Sequence, residues 1–133
     1  MVSWRDLKFW AKRLSKQEKT YILLRAKELV SWLGQENRGY GWLPNNPSKM
    51  WNNHIEEAKL KLTQVFEQTT DHRIQQLFDV TFDKLMALKR TGPPIHAYSY
   101  RNEADNTEIG KQRRKLKHEI EQDITEIIQR TET

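Results

Sequence analysis

Residues 46–65, NPSKMWNNHIEEAKLKLTQV, decide the fold class. An asparagine followed by proline reads as a helix cap plus a first-turn proline, because the ring presets φ and its missing N–H would go unpaired there anyway. Behind it Trp51, Ile55, Ala58, Leu62 and Val65 recur at steps of four and three, which is one apolar stripe on a helix. A stripe of this width has to be buried against other helices.

The same pattern extends in both directions. Upstream, Ser15 and Glu18 form a Ser-x-x-Glu capping box ahead of Ile22, Leu23, Ala26, Leu29, Val30 and Leu33, and Gly34 is placed to stop that helix as a left-handed cap. Earlier still, Ser3 with Asp6 opens a short amphipathic segment carrying Leu7, Trp10, Ala11 and Leu14. Downstream, Thr70 or Asp71 starts a helix with Ile74, Leu77, Phe78, Phe82 and Leu85 inward, and Gly92-Pro93-Pro94 ends it. Asp105 and Glu108 repeat the cap-box spacing before Ile109, Leu116, Ile120, Ile124 and Ile127. No stretch alternates for long enough to make a convincing strand, and nothing repeats. The expected fold is therefore all-α, a single-domain helical bundle over residues 1–133. Its four main helices are expected over about 16–33, 47–68, 71–91 and 106–130, with a short N-terminal helix over about 3–14 and long loops at 34–46 and 92–105. Self-association into a homo-oligomer is compatible with such a bundle.

A chain of 133 residues has room for one real core. With no cysteine it has no disulfide framework, no thiolate metal site and no cysteine nucleophile, which fits a reducing cytosol. Arg5, Asp6, Lys8, Lys12 and Arg13 interrupt the apolar residues near the start, and no apolar run approaches a membrane span, so the reading is a cytoplasmic protein with no membrane partner. The net charge of +5 permits attraction to polyanions.

The distribution of that charge says more. In the last helix Lys111, Arg113, Arg114, Lys115 and Lys117 crowd the front half, while Glu119, Glu121, Asp123 and Glu126 crowd the back. That order opposes the helix's own dipole, whose positive end favours carboxylates and whose negative end favours cations. On a helical wheel Lys111, Arg114, Lys115 and His118 lie opposite the apolar side and form a basic strip. Arg113 falls among the apolar positions, where it needs a carboxylate, an interface or a frayed turn, or else snorkels past the core edge. Arg5, Lys8 and Lys12, at steps of three and four, make a second strip on the first segment. Such strips track phosphates without reading sequence.

Both long loops carry further candidates. In the first, Tyr40 and Trp42 sit among glycines beside Arg38, suited either to stacking on bases or to plugging one end of the bundle. Trp4, Trp10, Trp32 and Trp51 read as core or interface residues. The second loop combines His96, Tyr98, Tyr100 and Arg101 just after Arg90. Arg90 and His96 resemble the loose Arg-x(4–6)-His pattern of the HEPN superfamily of helical ribonucleases, and Arg113 with His118 satisfies the same pattern. The resemblance implies metal-independent RNA cleavage by an Arg/His pair, and Pro93-Pro94 interrupts the first pair where such proteins continue into helix. Metal chemistry has less support. His54 with Glu57 and His118 with Glu121 run in the reverse order of a di-iron Glu-x-x-His pair, and Asp79 with Asp83 reads as a solvated face. The lone Gly39-x-Gly41 follows a helix, not a strand, and carries no dinucleotide signal.

Sequence alone thus leads to a non-catalytic, basic helical accessory protein that binds RNA or DNA through its phosphates, as a subunit of a nucleoprotein assembly. Its expected contacts are Lys111, Arg114, Lys115, Lys117, Arg5, Lys8 and Lys12 for phosphates and Tyr40 and Trp42 for stacking, with no cofactor and no metal. The alternatives are the HEPN-like ribonuclease and a protein-interaction module that docks an acidic partner.

Overall fold

The structure is a computed structural model, and it describes residues 13–33, 47–91 and 108–132. These residues fold into four helices, α1 (Lys16–Ser31), α2 (Pro47–Phe66), α3 (His72–Arg90) and α4 (Glu108–Glu132), with no strand among them. The all-α bundle expected from the sequence is what forms.

Capping residues set the helix starts. The Ser15 hydroxyl accepts the Glu18 N–H at 3.1 Å while the Glu18 carboxylate accepts the Ser15 N–H at 3.2 Å, closing the capping box in both directions. Asp71, not Thr70, caps α3, its carboxylate accepting the N–H groups of Arg73 at 2.8 Å and Ile74 at 3.4 Å. The helix ends differ from expectation. α1 stops at Ser31 with Trp32 as a right-handed cap, whereas the sequence carries the apolar pattern on to Leu33. Leu33 is buried all the same, because it packs into the core from beyond the helix end. α4 begins at Glu108 and runs to Glu132, two residues later at each end than expected. The short helix expected over residues 3–14 lies outside the described residues save for Arg13 and Leu14, as do Gly34, Asn46 and Asp105.

Cross-helix contacts fix the topology. Lys89 of α3 meets Glu56 of α2 at 2.8 Å, and Phe66 of α2 meets Phe78 of α3, so these helices are antiparallel. Lys84 meets Asp123 at 2.9 Å and Arg113 reaches Thr91, which makes α4 antiparallel to α3. Thr20 meets Glu132 at 3.4 Å and Lys117 reaches Ser31, so α4 is antiparallel to α1 as well. Lys19 bonds the Gln68 carbonyl just past α2, and Trp32 lies against His54, completing an up-down-up-down ring in which α4 closes onto α1. The C-termini of α1 and α3 and the N-termini of α2 and α4 consequently share one end of the bundle, the loop end; the α2–α3 turn and the start of α1 occupy the other, the turn end.

One core fills the ring. Leu23, Ala26, Leu29 and Val30 of α1 meet the full stripe of α2, Ile74, Phe78, Leu85 and Leu88 of α3, and Ile120, Ile124 and Ile127 of α4. Side chains of this size contribute roughly 1.5–3 kcal/mol each when fully buried. Thr81 is buried among them with its hydroxyl bonded to the Leu77 carbonyl at 2.7 Å, so it carries no unpaired polar group. Ile109 was expected inward but is 46% exposed, because α4 projects past the core at the loop end. The α2–α3 contact is the thinnest in the ring and is bridged by Phe66, Phe78 and Phe82, whose centroids lie 5.5–6.2 Å apart. The Lys89 ammonium, hydrogen-bonded to Glu56, holds that carboxyl below its ordinary range. The pair's contribution is therefore complete above the ordinary carboxylate range and fades as pH falls through the depressed value.

Candidate nucleic-acid interface

The first three turns of α4 distribute their cations in three directions. Lys111, Arg114, Lys115 and His118 are exposed on the face turned away from the bundle, as the helical wheel requires. From Lys111 to His118 this face rises about 10 Å along the axis. Glu108 is the exposed carboxylate near its start. Arg90, at the end of the neighbouring α3, is also exposed.

Arg113 points the other way and is 7% exposed. Its Nη2 donates to the Thr91 carbonyl at 2.9 Å and its Nε donates to the Thr91 hydroxyl at 3.3 Å. That hydroxyl donates in turn to the Leu88 carbonyl at 2.6 Å. The guanidinium also lies over the Trp51 ring, 5.4 Å from its centroid. Arg113 therefore caps the C-terminus of α3, whose last carbonyls lack helical partners and carry partial negative charge. Trp51 beneath it is fully buried, and its indole N–H has no hydrogen-bond partner.

Lys117 is directed sideways onto α1. Its ammonium donates to the carbonyls of Leu33 at 2.7 Å and Ser31 at 3.2 Å. The last turn of α1 has no basic residue of its own, so α4 supplies the cation from across the interface. The ammonium that the sequence reading places in the phosphate strip is thus bonded to carbonyls and half-buried. Replacing it by methionine should keep the aliphatic packing and remove the cap. The expected result is a stability loss of about 1 kcal/mol, seen as a melting temperature a few degrees lower.

The paired Arg/His candidates fare differently. Arg113 and His118 face in and out of the bundle and do not converge on one substrate atom. Arg90 is exposed, and His96 lies outside the described residues. Arg5, Lys8, Lys12, Tyr40 and Trp42 also lie outside them. Trp32 is described and is 38% exposed, with Arg25 5.1 Å above its ring and His54 at 6.0 Å, so one face is already covered. Among the described residues no group of three or more His, Asp or Glu is arranged to hold a metal ion. No described helix is long and apolar enough to cross a membrane.

Thr91 and the α1 end carbonyls are the residues that sequence reasoning missed. Nothing near Thr91 in sequence announces a buried guanidinium partner 22 residues later. The available signal was Arg113 itself, a cation within an apolar stripe. Comparison with known protein families, with curated proteins and with solved structures finds no match.

Proposed function

We propose that this chain is a cytoplasmic, non-catalytic accessory protein that binds nucleic acid through its phosphates, using the outward face of α4 at the loop end of the bundle. The observation that carries this reading is the exposure of Lys111, Arg114, Lys115 and His118 together on one helical face. A face of this kind supplies point charges and one forked donor to a phosphate backbone, and nothing in it is built to discriminate bases. Binding is accordingly sequence-tolerant and strongly dependent on salt.

The test is a titration of the purified protein against fluorescent single-stranded RNA, single-stranded DNA and duplex DNA at two salt concentrations. Polyglutamate serves as a second polyanion, and each mixture is afterwards run on a denaturing gel. Salt-sensitive binding of intact nucleic acid in preference to polyglutamate is the expected result. No binding at low salt, or equal binding of polyglutamate, would transfer the face to an acidic protein partner. Shortened RNA would restore the ribonuclease reading through Arg90 and His96.

A further inference from the structure

The side of the ring formed by α1 and α2 presents two outward stripes. On α1, Tyr21, Arg25, Glu28 and Trp32 follow one another at steps of four, three and four, within about 60° of each other around the helix, and Trp32 keeps that register because it caps α1 in a right-handed conformation. Tyr21 is 72% exposed and Trp32 38%. On α2, Asn53, Glu57, Leu60 and Gln64 repeat the same steps, and all four are exposed. The Trp32 ring ends the first stripe against His54, one residue past Asn53, so the stripes run side by side. That contact and the Lys19 bond to the Gln68 carbonyl set the two helices in register, with Leu60 level with the stretch between Arg25 and Glu28. Steps of four and three are the spacing by which one helix seats along another.

We infer that this side receives a second copy of the chain, antiparallel and related by a two-fold axis level with the midpoint between Arg25 and Glu28. Charge complementarity selects that occupant. The α1 stripe reads aromatic, cation, carboxylate, aromatic, so an antiparallel copy sets Tyr21 opposite Trp32 of the second copy and Arg25 opposite its Glu28, each pairing formed twice. A parallel copy would set like charge on like. Arg25 is already held in place, its guanidinium 5.1 Å over the Trp32 ring and 3.1 Å from the Glu28 carboxylate, so little freedom is lost when a second copy arrives. Across the two stripes one cation faces two carboxylates, which lets copies carrying a net charge of +5 approach there and not at the basic face of α4.

The length of α1 spans about 24 Å and two helices side by side about 20 Å, so the side offers roughly 500 Å² per copy and about 1,000 Å² in all. That is the lower limit of specific interfaces and gives a dimer that dissociates on dilution. Leu60, 58% exposed, approaches its own equivalent near the axis. α4 packs on the other flank of α1, so its outward cations stay outside the contact and each dimer carries two basic strips. The contact forms without nucleic acid and stands or falls separately from the phosphate-binding reading.

Sedimentation equilibrium of the nuclease-treated full chain, from micromolar to near-millimolar concentration, is expected to show monomer and dimer in exchange. Arg25→Glu sets carboxylate against carboxylate at both pairings and is expected to weaken the dimer about tenfold or more. The double exchange Arg25→Glu/Glu28→Arg restores both pairings with reversed polarity and is expected to recover most of that loss. A chain that stays monomeric throughout, a dimer indifferent to Arg25→Glu, or a double exchange no better than the single one would overturn the proposal. Circular dichroism of each variant establishes that the bundle is folded. The native chain has no cysteine, so Leu60→Cys treated with a short bis-maleimide reports the axis without background. It is expected to cross-link two copies about tenfold more than Gln122→Cys, which places the thiol on the outer face of α4, and equal yields would again overturn the proposal.

Discussion

Arg113→Ala is expected to lower the stability of the bundle by about 3 kcal/mol, with a fall of roughly 10 °C in melting temperature. Three effects combine in that figure. The substitution leaves the Thr91 carbonyl without its charged donor at a buried helix end. It removes a cation from the negative end of the α3 dipole. It also uncovers the face of Trp51, the largest fully buried side chain, whose stacking partner is the guanidinium. Arg113→Lys separates geometry from charge. A lysine retains the cation but cannot donate to the hydroxyl and carbonyl of Thr91 from one rigid plane while lying flat on an indole. It should recover less than half of the loss. A melting temperature of Arg113→Ala within about 2 °C of the parent chain would show that the site is not the anchor the geometry makes it. Nucleic-acid affinity of the folded variant should be unchanged, because Arg113 offers nothing to solvent.

The same contacts explain why the charge order of α4 misleads when read along one helix. Judged against its own dipole, a basic front half and an acidic back half are each at the wrong end. In an antiparallel ring, however, the front of α4 lies beside the C-termini of α1 and α3, and its back lies near their N-terminal halves. Lys117 and Arg113 satisfy the negative ends of those two neighbours. At the back, Glu132 accepts from Thr20 in the second turn of α1, and midway along the interface Asp123 pairs with Lys84, just past the middle of α3. Much of the reversed order is thus a consequence of packing. The helices themselves were legible because caps and apolar periodicity are local, as at Ser15, Asp71 and the Trp51–Val65 stripe. The partners of Arg113 and Lys117 were not legible, because they depend on which helix ends the topology brings together. Exposure of Ile109 was hidden for the same reason: periodicity places it on the inner side of α4 but cannot say that the core stops before reaching it.

Neutralising the exposed cations of α4 should have the opposite profile. In the triple variant Lys111→Gln, Arg114→Gln, Lys115→Gln, three exposed cations leave the positive end of the α4 dipole, so stability should hold or rise slightly. Binding should not hold. Each phosphate neutralised on duplex DNA contributes about 0.9 to the slope of log affinity against log salt, so three contacts contribute about 2.7. Between 50 and 200 mM salt they account for roughly a 40-fold loss of affinity in the parent chain, and the triple variant should lose that dependence. Lys117→Met should leave the slope where it was, since its ammonium is bonded to Ser31 and Leu33. Arg113→Ala and the triple variant therefore form a crossed pair, one losing stability and keeping the salt slope, the other keeping stability and losing the slope. A triple variant that melts normally and binds nucleic acid with the parent's slope would remove α4 from the interface and leave the reading to the cations outside it.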